Sequence, residues 1–369
     1  MTLPSTTRAA VLTEHGRPLS LDELPLPTDI EPGAALVRIT STTLCGTDIE
    51  IWNGTMTFPG MLPMVLGHEM VGEVVAAGPG TVDALGRAVT EGDRIGWSES
   101  TCGHCHGCTV LREPVTCSHR GYGFLQRSDV PPYATGGLVE YCYVTPGAAK
   151  LLLPDGVKDT WASMAGCAAK TVLRAFSRSG GIHPASRVVI QGSGALGIFA
   201  TAVARISGAG HVITVGAPFG RLAMAERFGA DDTIDISIGS DGIVEKVLEL
   251  TGGHGADHVF DFAGAASVGR EAIGMAAQRG TFAIVGSTSG ALNEIPLSAI
   301  MGKELTVVGS LNGDIADYHH AIEFFGAFAD RMPWDDLFSA PVGLAEASAH
   351  ISSMEGLDEI KAVIDPRIS

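Results

Sequence analysis

Residues 186–216 read SRVVIQGSGALGIFATAVARISGAGHVITVG, and this stretch decides how the chain folds. A short β-branched run, Val188 to Gln191, meets glycines in the spacing G-x-G-x-x-G at Gly192, Gly194 and Gly197. An apolar segment of helical length follows, and a second β-branched run ends near Val215. Strand, tight turn, helix and strand make one βαβ unit, whose two strands must run parallel. The glycines have a purpose in that setting. The turn is sharp, the backbone must approach a ligand closely, and the helix N-terminus offers unpaired N–H groups to an anion. The loop from Gly192 through Ala195 and Leu196 to Gly197 therefore suits a dinucleotide pyrophosphate.

Downstream, DHVFDFAG (257–264), GTFAIVGSTSG (280–290) and LTVVGSLNG (305–313) are β-branched runs that end in small residues, with helical patterns between them. They extend the βαβ unit into an α/β, doubly wound parallel sheet. In such sheets ligands bind outside the carboxyl ends of the strands, which makes Val285 and Gly286 candidates to carry a nicotinamide. One element of the dinucleotide pattern is missing. An acidic residue at the end of the second strand would bind the ribose 2′-hydroxyl of NAD. This chain has Gly216 there, with Arg221 five positions on. Without the carboxylate a 2′-phosphate is not repelled, so NAD and NADP both remain open; Arg221 either meets that phosphate or lies on a solvated helix face.

The 369 residues suggest about two domains. A net charge of −17 would repel nucleic acid and anionic membrane surfaces alike. The N-terminus lacks the pattern of a leader, and no apolar run reaches the roughly 18 residues of a membrane span. A cytoplasmic protein is expected. In a reducing compartment the seven cysteines are more naturally ligands than disulfides.

Four of them, Cys102, Cys105, Cys108 and Cys117, lie in TCGHCHGCTVLREPVTC (101–117) with the spacing C-x2-C-x2-C-x8-C. Four thiolates on two tight loops leave no open position and make a structural zinc site. Two other stretches hold ligand types more thinly: TLCGTDIEIW (43–52), with Cys45, Thr47, Asp48 and Glu50, and MVLGHEMVGEVV (64–75), with His68 and Glu69. Cys142, in an apolar strand pattern, reads as a small core residue.

CGTD, then GHE-x2-G-x-V, then the four-cysteine lobe, then the glycine turn: this order resembles the zinc-dependent medium-chain dehydrogenase/reductase family, which includes alcohol and polyol dehydrogenases. The resemblance implies a GroES-like, β-rich catalytic domain (1–167), a Rossmann domain (168–311) and a C-terminal segment (312–369) that completes the first, with the active site in the cleft. It implies two zinc ions per chain, the catalytic one held by Cys45, His68 and Cys167. It also implies an alcohol or carbonyl substrate of small size and a homodimer or homotetramer. Thr47 would begin the proton route, Asp48 would orient His68, and Glu69 would sit beside the zinc. Thr171 would pack near the nicotinamide and Lys361 near the pyrophosphate. Two departures stand out. Cys167 replaces the carboxylate common in polyol dehydrogenases, tilting the reading toward alcohols. Glu50 stands where many relatives have the histidine that finishes the proton relay, and an ordinary carboxylate, with a pKa of about 4.3, is a poor base near neutrality. Rival readings are a polyol or sugar dehydrogenase and a non-catalytic zinc scaffold. Trp52, Phe58, Trp97 and Phe124 are candidates to line an apolar pocket.

Overall fold

The computed structural model describes residues 3–286 and 295–368. Two compact units divide the chain. The first comprises Met1–Lys170, Gly313–Ala329 and Trp334–Ser369, and the second Thr171–Asn312 with Asp330–Pro333.

The first unit is built on antiparallel strands. These are β1 (Thr6–Leu12), β2 (Ser20–Pro25), β3 (Ala35–Thr43), β4 (Met64–Val65), β5 (Glu69–Ala77), β6 (Arg94–Ser100), β7 (Tyr141–Val144) and β8 (Ala148–Leu152). One sheet runs β2-β1-β4; in another, β3, β5, β6 and β8 follow in order and β7 also pairs with β3. The core fills with Ala10, Leu36, Ile39, Leu66, Val74 and Ile95, all wholly buried. Cys142 lies among them.

The second unit holds β9 (Arg187–Gln191), β10 (His211–Gly216), β11 (Asp232–Asp235), β12 (Ala256–Asp261), β13 (Ala276–Ile284) and β14 (Thr306–Gly309). They lie in the order β11-β10-β9-β12-β13-β14, and every pairing is parallel. Helices cover both faces of such a sheet, which is why Val188, Val189 and Ile190 form a continuous apolar run with no exposure. The winding reverses between β9 and β12, so the glycine turn after β9 opens at the switch point where such sheets bind ligands. Gly192 has φ +113°. A Cβ on Gly197 would lie 1.8 Å from the Gly192 carbonyl oxygen, so the third position of the motif admits only glycine.

The chain then returns to the first unit. Helix Ile315–Ala327 brings in Tyr318, which is fully buried and donates its hydroxyl to the Ala162 carbonyl at 2.9 Å. Strand β15 (Val363–Ile364) pairs antiparallel with the end of β3, Val363 opposite Thr43. No helix among the described residues is long and apolar enough to cross a membrane. Tyr318→Phe, which loses one buried hydrogen bond, should cost about 1 kcal/mol. Tyr318→Ala, which also opens a cavity, should cost about 3–5 kcal/mol. Urea unfolding followed by tryptophan fluorescence will rank the two.

Candidate active site

Strand register assembles the first cluster. In the β3–β5 pair Thr43 stands opposite Glu69, so Cys45, two residues beyond the end of β3, meets His68, one residue before the start of β5. Gly67 makes the approach possible. Its φ of +90° is open to glycine, and a Cβ there would lie 3.0 Å from both Gly137 and Thr42. The third candidate ligand comes from a helix packed on β3 and β5, Asp159–Met164, which widens into a π turn over Ala165–Ala169 before continuing as Lys170–Arg178. Such a turn inserts an extra residue into the helical ladder and is frequent at functional sites. It delivers Cys167. Ligand atoms of Cys45, His68, Glu69 and Cys167 all lie within 4.8 Å of one another.

Asp48 organises this cluster from beneath. It is wholly buried; Oδ2 accepts from the Cys45 backbone N–H at 3.0 Å, and Oδ1 accepts from the Gly67 N–H at 3.0 Å and His68 Nδ1 at 3.2 Å. His68 is thus oriented with Nε2 left for the thiols, the outer-shell support that metal-ligating histidines require. Burial alone would lower the His68 pKa, but the charges of Asp48 and Cys45 raise it well above its ordinary value. Cys45 is held well below the usual thiol range, first by the hydrogen bond from Cys167 and then by His68, against the effect of burial. A thiolate, an imidazole and a second thiol in this space are a soft donor set of the kind zinc selects, with room for a fourth ligand.

Glu69 and Lys361 form a buried ion pair beside it. Lys361 Nζ lies 2.6 Å from Glu69 Oε2, and the two side chains are 1 % and 0 % exposed. Thr43 donates its hydroxyl to the same carboxylate. Burial pushes Glu69 up to about 7, with the Lys361 charge opposing it. Lys361 is therefore not the pyrophosphate contact the resemblance implied. The register of β15 against β3 turns it inward, and its ammonium is committed to Glu69.

Thr47 lies in the first turn of helix Gly46–Trp52, two residues from Cys45, and Glu50 follows in the same helix, half-buried. Burial and the negative charge of Cys45 raise the Glu50 pKa above the ordinary carboxylate range. A cleft of about 560 Å³, including volume open to solvent, is walled by His68, Met70, Trp97, Tyr122, Phe124 and Val144 among others. The rings of His68 and Phe124 stack at 4.6 Å. Trp97 and Phe124 belong to the buried core and also line the cleft, whereas Trp52 and Phe58 pack against that core, partly buried.

In the four-cysteine lobe the sulfurs of Cys102, Cys105, Cys108 and Cys117 also lie within 4.8 Å of one another, and none is in a disulfide. Backbone N–H groups on the sulfurs hold Cys105 down to about 5, and Cys117 is lowered in the same way. Cys108 moves the other way, burial and the neighbouring Cys105 pushing it up to about 12, so in this arrangement the negative charge gathers on Cys105 and Cys117. Four sulfurs so placed have the number and type of a closed zinc site. Cys102 and Cys117 approach at 3.6 Å, far beyond a bonded S–S distance.

In the second unit the glycine turn places Gly194 before helix Ala195–Ile206, whose first residues are Ala195 and Leu196. Gly216 ends β10, and a Cβ there would lie 2.3 Å from Ser193 Oγ. Ser193 fills that space because its hydroxyl donates to the Ala217 carbonyl at 2.9 Å and accepts from the Ala217 N–H at 3.1 Å. The missing carboxylate thus has a steric cause. Arg221 stands in the first turn of the next helix, Phe219–Arg227. Val285 and Gly286 follow β13, both donating backbone N–H to the Asp261 carbonyl. Thr171 is buried, one turn beyond Cys167.

Sequence reasoning missed a neighbouring network, Glu99 with Lys170 and Arg120. Lys170 Nζ lies 3.1 Å from Glu99 Oε2, and Arg120 Nη2 lies 3.1 Å from Glu99 Oε1. A lone lysine in the apolar run MAGCAAKTVLRAF was the available signal, since such residues are seldom buried without a partner.

Comparison with known proteins gives a consistent picture. Residues 31–155 match the family model of the alcohol dehydrogenase GroES-like domain, and residues 195–327 that of the zinc-binding dehydrogenases. A 5-exo-hydroxycamphor dehydrogenase of Pseudomonas putida is 32 % identical over 97 % of this chain and 98 % of its own. An alcohol dehydrogenase structure from Thermotoga maritima superposes with a TM-score of 0.88 at 27 % identity, covering 98 % of this chain and 99 % of that one. A structure described as a zinc-binding dehydrogenase from Sinorhizobium meliloti, bound to NADP, superposes with a TM-score of 0.85 at 28 % identity, covering 98 % and 100 %.

The two clusters should load independently. Wild-type protein is expected to hold two zinc ions per chain by plasma emission analysis. Cys45→Ser with His68→Ala should hold one and keep its melting temperature within a few degrees, whereas Cys105→Ser with Cys108→Ser should lose the other and melt at lower temperature. The Glu99 carboxylate also sets an acid limit. Burial opposes its ionisation, but Lys170 and Arg120 hold its pKa well below the usual range. Its stabilisation is therefore complete above the unfolded value of about 4.3 and declines as pH falls through the lower folded value. Glu99→Gln should flatten the acid limb of stability plotted against pH.

Proposed function

The chain belongs to the zinc-binding dehydrogenase family, with an alcohol dehydrogenase GroES-like domain, and on that premise we propose that it is a zinc-dependent alcohol dehydrogenase acting on secondary or cyclic alcohols with NADP preferred over NAD. The observation that carries the reading is the meeting of Cys45, His68 and Cys167 beside the cleft walled by Trp97, Phe124 and Met70. Three protein ligands leave a position open, which a closed structural site does not. Trp97, Phe124 and Met70 give a hydrocarbon body apolar contact on one side of the cleft, while Ser98, Glu99, Gln126 and Thr135 also line it and offer partners to a hydroxyl. The 5-exo-hydroxycamphor dehydrogenase relative, named for a cyclic alcohol, agrees with this choice.

Bound between Cys45, His68 and Cys167, zinc supplies Lewis-acid polarisation that brings an alcohol proton within reach of neutral pH. The chain's own residues do the rest. Asp48 fixes His68 in one tautomer. Thr47 accepts the alcohol proton at Oγ1, and Glu50, its pKa raised by burial and by Cys45, takes it onward toward solvent. Glu69, clamped by Lys361 and Thr43, keeps a carboxylate beside the ligands without competing for the open position. The Gly192–Gly197 turn and the start of helix Ala195–Ile206 hold the dinucleotide pyrophosphate, with Val285, Gly286 and Thr171 toward the nicotinamide. NADP is favoured because Ser193 occupies the space beside Gly216 in which a ribose-binding carboxylate would stand, so that no acidic side chain at Gly216 repels a 2′-phosphate. In such a reaction the thiols stay reduced, as in a cytoplasm.

We further infer a homo-oligomer. Strand β14 lies at the edge of its sheet, and Val307, Leu297, Met301 and Leu311 near it are 39 %, 74 %, 75 % and 70 % exposed. An apolar, unpaired parallel edge is a template for a second copy.

A panel of primary, secondary, cyclic and polyhydric alcohols should show kcat/KM highest for cyclic or branched secondary ones, with Phe124→Ala raising KM about tenfold by removing an apolar wall worth about 1–2 kcal/mol. Activity on sorbitol exceeding that on cyclohexanol would select the polyol reading. Ser193→Gly with Gly216→Asp should lower the NADP-to-NAD preference by about tenfold or more, the carboxylate now having room. Sedimentation should give a dimer or tetramer that Met301→Glu with Val307→Lys converts toward monomer.

A further inference from the structure

Glu99, Lys170 and Arg120 have no step in the chemistry just described, although Glu99 lines the cleft; Lys170 is buried and the side chains of Glu99 and Arg120 are only 13 % and 7 % exposed. Their positions along the chain suggest a purpose. Arg120 follows Cys117 by three residues, at the exit from the four-cysteine lobe, and its guanidinium also donates to the carbonyls of Val115 at 3.1 Å and Gly313 at 3.3 Å. Val115 belongs to the lobe's last turn, and Gly313 is where the C-terminal segment re-enters the first unit. Lys170 follows Cys167 by three residues; its backbone N–H donates to the Cys167 carbonyl, and its ammonium reaches Ser98 Oγ and Glu99 Oε2, each at 3.1 Å. Ser98 donates in turn to Glu99.

We propose that Glu99 is a positioning residue that couples the four-cysteine lobe to Cys167, gripping the lobe's exit through Arg120 and the π turn through Lys170. The geometry needs such a device. Cys167 sits on a π turn, whose hydrogen-bond ladder is irregular and holds its residues less firmly than an α-helix does. Both terminal nitrogens of Arg120 are engaged while its Nε has no partner, and the bonds that Glu99 makes to Arg120 and Lys170 restrict the arrangements open to the three side chains. The lobe, whose four cysteine sulfurs would close on a structural zinc, would then be the body against which the turn is braced. The proposal rests on the reading of Cys167 as a ligand of the second metal.

The charges dictate the cleanest test. One carboxylate faces two cations, so removing Lys170 leaves a balanced Arg120–Glu99 pair, whereas removing Glu99 leaves two cations buried together. Lys170→Met is therefore the principal variant, and Arg120→Met, which leaves the Lys170–Glu99 pair, is the second, should the first not fold. Each is compared with wild type in zinc content, in steady-state kinetics, and in the visible spectrum after Co(II) replaces zinc at the Cys45–His68–Cys167 site. Coupling predicts two metals retained, a shifted cobalt spectrum, and kcat lower by about tenfold or more with KM changed less, as displaced catalytic geometry gives. Lys170→Arg should restore the spectrum in part. An unchanged spectrum and kcat in a variant that merely melts earlier overturns the proposal and reduces the triad to a structural ion cluster. Wild type that binds a single metal, or keeps the second without Cys45 and His68, overturns the ligand reading itself.

Discussion

The register of β3 is the constraint on which the first unit depends. One residue near its end, Thr43, stands opposite Glu69 of β5 on one side and Val363 of β15 on the other. That double pairing brings Cys45 against His68 and turns Lys361 onto Glu69. Side chains alternate along a strand, so a slip of one residue would send Lys361 to the opposite face and leave the Glu69 carboxylate buried without its counter-charge. A buried charge without a partner costs far more than an unmade contact between neutral groups. Register, metal cluster and ion pair therefore hold one another in place.

A second feature follows from burying so much charge in one place. Asp48, Glu69, Lys361, Glu99, Lys170 and Arg120 are all largely withdrawn from water around three metal-ligand types, and each has a partner: Asp48 with His68, Glu69 with Lys361, Glu99 with the other two. In a low local dielectric these pairs interact more strongly than they would at a surface. Burial itself opposes the thiolate form of Cys45; the hydrogen bond from Cys167 and the charge of His68 overcome it, giving the form that ligates. The second unit uses backbone rather than charge. Its glycine turn owes its shape to close approaches, Gly197 to Gly192 and Gly216 to Ser193, that any side chain would obstruct.

By itself the sequence determined the features whose parts are neighbours in the chain. The βαβ unit at 186–216 and the four-cysteine lobe at 101–117 each lie within a few dozen residues, so spacing and residue type were enough, and both appear in the fold as read. The dispersed candidate ligands Cys45, His68 and Cys167 were legible as a set only through resemblance, because nothing local distinguishes a lone cysteine suited to a metal from one that packs, as Cys142 does. Tertiary structure alone decided the partners of the buried charges. Lys361 lies 292 residues from Glu69, and Lys170 lies 71 from Glu99, separations across which local pattern carries no pairing information. The aromatic lining of the cleft was likewise settled by packing, which put Trp97 and Phe124 where core and cleft meet and left Trp52 and Phe58 partly buried against the core. The physical reason is common to all of these: a charge or a ring acquires its role from what burial places opposite it, and the sheet register that sets those neighbours is a property of the whole fold.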